Sequence, residues 1–220
     1  WGNEAAEAWY YTIANDWFSG EFIWTGFDYI GEPTPWDDIV EENKDIVPVS
    51  SYFGVVDTAG FEKDSYYLYR SWWNEDSTTL HLVPGSWNKE KLTVTNGYVP
   101  VAVYSNAAKI ELLLNGNVIA TAVSTDVSSD GGLYTYKTWQ ESVADFSKCT
   151  SEQFYNGTGA DLYAQFNVKY EEGTLSVKAY DENNNEITDT VGSTASVSGN
   201  ATQIVSTVWG NRNMFVADGT

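Results

Sequence analysis

Cysteine, histidine, basic residues and long apolar runs are all scarce in this sequence of 220 residues. The single cysteine, Cys149, cannot form an internal disulfide, and with only one histidine, His81, the chain cannot make the usual Cys/His zinc site. Eleven Lys and Arg residues stand against 31 Asp and Glu residues, and the resulting net charge of −20 repels nucleic acid and anionic lipid. No run approaches the ~18 apolar residues of a membrane span. We therefore expect no metal, no cofactor, no nucleic acid and no membrane as a partner.

Aromatic residues, by contrast, are abundant at 15%, within a hydrophobic content of 42% that supports a packed core. The length allows one large domain or two ordinary ones, but not a complete (β/α)8 barrel of about 250 residues plus a second domain. Eight of the ten tryptophans lie before residue 90, which predicts a domain boundary near residues 76–90. Because Trp1 is not an initiator methionine, we expect the chain to be a piece of a longer protein.

The first 76 residues have an α/β pattern. Asn3 and the apolar spacing that follows predict a helix over 4–18, and the apolar run 22–27 predicts a short strand covered on both faces. Prolines and acidic residues between 31 and 45 predict a long loop, after which Asp64 is expected to cap a helix over 65–73.

The second part, residues 77–197, is different because short alternating segments follow one another between turns. They predict an all-β sandwich of the immunoglobulin-like type, and Asn115-Gly116 is a strong signal for a tight hairpin. Residues 198–220 are expected to be a linker and the start of a further module. The predicted strands are 80–83, 99–104, 109–114, 118–123, 133–139, 164–170 and 174–180.

Carboxylates next to aromatic rings suggest sugar chemistry in the first part. Rings stack on the apolar face of a pyranose, and a pair of carboxylates can cleave a glycosidic bond. Trp24, Asp28 and Glu32 lie on and just after the end of the predicted strand, where α/β barrels place their sites. In the alternative interpretation Trp24 packs the core and the two acids are solvated. A Ser-His-Asp triad would need His81, which we expect instead to be a surface or boundary residue.

Several segments carry a more specific signal. Residues 20–35 read GEFIWTGFDYIGEPTP, residues 51–61 read SYFGVVDTAGF and residues 67–69 read YLY. They resemble the eighth strand, the following loop and the last helix of the barrel in β-galactosidases of glycoside hydrolase family 2. The immunoglobulin-like domain that follows this barrel is similar to three further segments, VAVYSNA at 101–107, ELLLNG at 111–116 and VKYEEGTL at 168–175.

The resemblance implies the C-terminal portion of a (β/α)8 TIM barrel over 1–76, followed by the sandwich. It also implies part of a retaining β-galactosidase that hydrolyses terminal β-galactosides. Trp24 corresponds to the tryptophan that forms one wall of the galactose pocket, and Asp28 and Glu32 match acidic positions in the same motif. The two catalytic glutamates of the family lie on the fourth and seventh strands, which would precede Trp1. The chain would then hold no catalytic residue and would be inactive alone.

Sugar specificity can be inferred at one position. Related glucuronidases carry Asn-x-Lys just before the glycine matched by Gly54, and that lysine pairs with the substrate carboxylate. The present sequence has Ser51-Tyr52-Phe53 there, so a galactoside is favoured over a glucuronide.

Two other functions stay open: a non-catalytic carbohydrate-binding or adhesion sandwich of a multidomain surface protein, and an interdomain spacer. As partners of an enzyme fragment we expect a galactoside substrate and the remaining domains of the parent enzyme. The charge, the low Lys and Arg content and the turn chemistry at Ala217-Asp218-Gly219 favour an extracellular or cell-surface location.

Overall fold

Two large β-sheets and two helices dominate the computed structural model, which describes residues 4–30, 50–150 and 152–199. In the first part, the helices α1 and α2 span Ala5–Ile13 and Asp64–Trp73, and the two-residue strands β1 and β2 span Tyr29–Ile30 and Ser50–Ser51. The strands that follow are β3 Thr78–Val83, β4 Tyr98–Ser105, β5 Lys109–Leu114, β6 Asn117–Ser128, β7 Thr135–Val143, β8 Cys149–Thr150, β9 Ala164–Lys169, β10 Thr174–Tyr180, β11 Glu186–Ile187, β12 Thr190–Val191 and β13 Ala195–Val197. Short 3-10 helices cover Lys89–Lys91 and Ala160–Leu162.

The two large sheets form a sandwich, as the alternating segments predict. One sheet has the order β12-β3-β4-β9-β8, and the other has the order β11-β10-β5-β6-β7 with β13 also paired to β10. All of these pairs are antiparallel except β12 with β3. Asn115 and Gly116 both have positive φ angles, 52° and 80°, as the predicted tight turn between β5 and β6 requires.

The main core lies between the two sheets. Along β4, Val99, Val101 and Val103 face this core, and Trp87 and Phe166 are fully buried within it. Each fully buried side chain of this size contributes about 1.5–3 kcal/mol relative to its exposed state. The period-two pattern of the sequence therefore produces a sandwich with a continuous apolar interior.

Both helices cover the outer face of the sheet that contains β4. Ala102 points away from the main core and packs with Ala6 of α1 and Leu68 of α2 in a second, smaller cluster that also includes Tyr163. The helices are thus attached directly to the sandwich.

The last strands lie along the outer edges of both sheets. β12 pairs with β3 at Thr78 and Thr79, and the backbone N–H of Leu82 donates to the carbonyl of Ser193 at 2.7 Å. β13 and β11 pair with opposite ends of β10. One continuous segment, residues 186–197, therefore contacts both sheets.

The predicted helix over 4–18 is wrong at its end, because α1 stops at Ile13. Beyond it, the carboxylate of Asp16 accepts hydrogen bonds from the hydroxyl of Ser129 and from the N–H of Leu133, and the N–H of Asp130 donates to Ala14. These contacts hold residues 14–16 against the tip of the β6–β7 hairpin, and the helix does not continue there. The predicted strands 118–123 and 133–139 are parts of the longer β6 and β7.

The predicted buried strand over 22–27 is also wrong. Only an isolated bridge between Phe27 and Val56 forms there, Phe22 is fully exposed and Trp24 is 74% exposed. An apolar run becomes a covered strand only where neighbouring elements pack on both faces, and the described residues do not cover this run. They do not show the predicted barrel segment either.

Neither described helix is long and apolar enough to cross a membrane.

Candidate functional site

The carboxylate of Asp28 is buried rather than solvated and is held by groups of its own chain. Its Oδ1 accepts a hydrogen bond from the backbone N–H of Gly54 at 2.8 Å and another from Nζ of Lys63 at 2.6 Å. Lys63 also donates to the carbonyl of Tyr52 at 3.1 Å. Asp28 therefore holds the segment 22–30 against the segment 51–63.

Gly54 lies where these two segments approach each other most closely. A Cβ atom at this position would come within 2.1 Å of the backbone nitrogen of Asp28 and within 2.6 Å of the carbonyl oxygen of Val56. The N–H of Asp28 in turn donates to Val56 at 2.9 Å. A side chain at position 54 is thus incompatible with this backbone pairing.

Trp24 presents an exposed indole ring four residues before Asp28. Its Nε1 donates to the hydroxyl of Tyr29 at 3.3 Å, and the ring of Tyr29 lies 6.3 Å from that of Phe53. The bond to Tyr29 restrains the indole while leaving most of its surface accessible. Such a ring can stack on a flat apolar ligand face.

The positive charge of Lys63 is neutralised by its ion pair with Asp28. The side chain of Asp28 is 4% exposed and that of Lys63 is 32% exposed, so the pair is largely shielded from water. Removing the charge of Lys63 would leave the buried carboxylate of Asp28 without its counter-ion, which is costly. Lys63 is therefore engaged by Asp28, and the half-buried ring of Phe53, which directly precedes Gly54, is neutral.

Of the three predicted site residues, the structure places Trp24 and Asp28 in one segment and Glu32 lies outside the described residues. Sequence reasoning missed Lys63, because nothing in the local spacing links it to Asp28. It also misassigned Asp64, which is the first residue of α2 rather than its cap and which binds His81 at 2.7 Å.

His81 is a boundary residue, but it is buried and not on the surface. Its Nδ1 accepts the backbone N–H of Ser193 at 3.1 Å and its Nε2 contacts Asp64. Both ring nitrogens are therefore engaged, and neither activates a nucleophile. Within residues 4–30, 50–150 and 152–199, no group of three or more His, Cys, Asp or Glu side chains could hold a metal ion.

Comparison with known proteins gives matches of two kinds. Residues 96–188 match a family model described as a domain of unknown function, DUF4982. The chain is also 45% identical over 116 residues to "Beta-galactosidase BoGH2A" of Bacteroides ovatus, an alignment that covers 53% of this chain and 12% of that protein. A Formosa agariphila protein named "Putative beta-glucuronidase" is 39% identical over 110 residues, or 49% of this chain and 10% of that protein. The chain thus spans about a tenth of the length of these relatives.

A solved structure shares the fold. A glycosyl hydrolase family 2 member from Bacteroides cellulosilyticus superposes with a TM-score of 0.52 at 21% sequence identity, over 84% of this chain and 22% of that one. The all-β sandwich described above is thus an arrangement found in a much larger protein.

Proposed function

We propose that this chain, which is related to the glycoside hydrolases of family 2, forms one wall of the sugar-binding site of a retaining β-galactosidase. The observation that carries the proposal is the exposed indole of Trp24, restrained by Tyr29 beside the buried Asp28. In this proposal Trp24 stacks on the galactose ring. Asp28 acts as a positioning residue through Gly54 and Lys63, and Glu32 supplies an acceptor for sugar hydroxyls.

Galactosides are proposed as substrates in preference to glucuronides. A uronic acid needs a free cation, and Lys63 is paired with Asp28 while Phe53 is neutral. The net charge of −20 further disfavours an anionic substrate. The named relatives include both a β-galactosidase and a protein with a glucuronidase name, so this preference requires its own measurement.

The 220-residue chain alone is proposed to be inactive. Retaining hydrolysis needs two carboxyl groups about 5 Å apart. The resemblance places both catalytic glutamates on earlier barrel strands, and the matched motifs begin with the eighth strand. Turnover of an aryl β-galactoside by the purified chain, lost on substitution of Glu4, Glu7, Glu21 or Glu32, would disprove this part of the proposal.

The substitution Trp24→Ala in the complete parent enzyme tests the stacking role. We expect kcat/KM on an aryl β-galactoside to fall by roughly 5- to 100-fold, by analogy with aromatic stacking on flat ligands. Because the ring is exposed, the free energy of unfolding should fall by less than about 1 kcal/mol. The matched control is Phe22→Ala, which removes an exposed ring two residues away and should change neither quantity.

A Trp24→Ala enzyme with normal kcat/KM per folded molecule would remove Trp24 from the sugar site.

For specificity, the parent enzyme should cleave the aryl β-galactoside faster than the matching aryl β-glucuronide. The reverse order would refute the galactoside assignment while leaving the stacking role intact.

A further inference from the structure

A cleft of about 390 Å³ lies between the two helices and the strand β7, and Trp24 takes no part in it. This volume is within the range of small-molecule sites. The aromatic part of its lining consists of Trp9, Trp72, Tyr136 and Trp139. The polar part includes Asn74, Glu75, Asn106 and Lys137.

The aromatic wall is held rigidly. The rings of Trp9 and Trp72 lie 6.2 Å apart with their planes inclined at 58°. Both side chains pack against the buried cluster of Ala14, Tyr136 and Leu162, and both remain half-exposed. The cleft therefore has two fixed rings whose orientation does not depend on a ligand.

Two charged side chains of the cleft are available to a ligand. Within the part of the chain that the structure describes, neither Glu75 nor Lys137 has an ion-pair or hydrogen-bond partner. Asn106, in contrast, is engaged, because it accepts from the N–H of Thr79 and donates to the carbonyls of Asn74 and Ser77. The fold thus uses the side chains of Asn74 and Asn106 in hydrogen bonds and, among the described residues, leaves those of Glu75 and Lys137 without a partner.

The indole N–H of Trp9 is a further unused group. It is buried and has no hydrogen-bond acceptor among the described residues. Buried indole N–H groups usually have a partner. Because Nε1 is enclosed, a ligand in the open cleft would contact the exposed part of the Trp9 ring and not this N–H.

The charges around the cleft restrict the class of ligand. An anion would meet Glu75, the negative end of the α2 dipole and a net charge of −20, with Lys137 as the opposing cation. A cation would be attracted by Glu75 and by the net charge, but it would be repelled by Lys137 and would leave that ammonium group without an acceptor. A neutral polyhydroxylated ligand uses all the features, because its apolar faces stack on the rings and its hydroxyls pair with Glu75 and Lys137.

We propose that this cleft binds a short neutral oligosaccharide and is a sugar site separate from the one that contains Trp24. The proposal does not depend on the function proposed for Trp24. Binding here would hold the protein on a glycan without cleaving it.

The test is calorimetric titration of the 220-residue chain with β-1,4-galactotriose and with cellotriose. We expect at least one sugar to bind with a Kd on the order of 1 mM or tighter. Trp72→Ala should weaken that binding about tenfold. Glu75→Ala should weaken it severalfold, and because Glu75 is exposed this variant keeps the test valid if Trp72→Ala does not fold.

The matched control is Asp76→Ala, which removes the neighbouring exposed carboxylate outside the cleft and should bind like the unmodified chain. Phe22→Ala, which removes an exposed ring outside the cleft, should also bind normally. Absence of binding by both sugars up to about 10 mM, or unchanged binding by Glu75→Ala, would overturn the proposal. Tighter binding of trigalacturonate than of both neutral sugars would overturn it as well.

Discussion

The imidazole of His81 lies flat against the phenol ring of Tyr67, with centroids 3.9 Å apart and planes 6° from parallel. Because Nδ1 accepts the N–H of Ser193, Nε2 carries the ring hydrogen and donates it to Asp64. The only histidine of the sequence thus connects α2, β3 and the segment between β12 and β13.

Replacing this histidine should destabilise the protein. His81→Ala removes the ring stack and leaves the N–H of Ser193 without its acceptor, so we expect the free energy of unfolding to fall by about 2–4 kcal/mol. Urea denaturation measures the difference. Tyr67→Phe retains the stacked ring and should cost less than about 1 kcal/mol, and a His81→Ala protein as stable as that variant would contradict the proposed connection.

A methyl group at position 54 should disrupt the packing around Asp28. Gly54→Ala places a Cβ atom 2.1 Å from the backbone nitrogen of Asp28, and we expect a loss of about 2–4 kcal/mol in unfolding free energy. Gly26→Ala is the control, because a Cβ atom there meets nothing within 4 Å. Equal urea midpoints for the two variants would show that the close approach does not stabilise the fold.

Alkaline pH should destabilise the fold through Tyr69. Burial, together with the charge of Glu21 and its hydrogen bond, raises the pKa of Tyr69 to about 12. A raised pKa means that the folded state favours the neutral phenol, so its stabilising effect is complete below pH 10 and is lost between pH 10 and about 12. The slope is at most about 1.4 kcal/mol per pH unit.

The test of this pH dependence compares unfolding free energies of the original chain and Tyr69→Phe from pH 8 to 11. Below pH 9 the difference between the two proteins should be constant. Above pH 10 the original chain should lose stability faster, and parallel curves over the whole range would count against the assignment.

The thiol of Cys149 should be unreactive in the folded protein. The residue is fully buried, and burial raises the pKa of its thiol to about 11, so little thiolate exists at neutral pH. An aromatic disulfide reagent at pH 8 should therefore label no thiol before denaturation and one afterwards. Rapid labelling of the native chain would show that the core around β8 opens.

The sandwich could be predicted from the sequence because its signals are local. Alternation along Val99, Val101 and Val103 defines the inner face of β4, and Asn115-Gly116 fixes a turn whose positive φ angles few other pairs accept. Trp24 and Asp28 are four residues apart, so their proximity also needed no knowledge of the fold.

The remaining features depend on contacts between distant parts of the chain. Lys63 reaches Asp28 across 35 residues, and Asp16 ends α1 by binding Leu133 across 117 residues. Helical periodicity continues past Ile13 in the sequence and carries no information about the hairpin that binds Asp16. Similarly, the apolar run 22–27 indicates a tendency to be buried but does not specify what would cover it.

The segment 186–197, which contacts both sheets, also covers one edge of each sheet. Unpaired strand edges are templates on which other chains can add strands and build aggregates. β12 occupies the edge of β3, and β11 and β13 occupy the edge of β10. A chain that ends before Glu186 would leave β3 and β10 as additional unpaired edges, so we expect it to aggregate more readily than the intact chain.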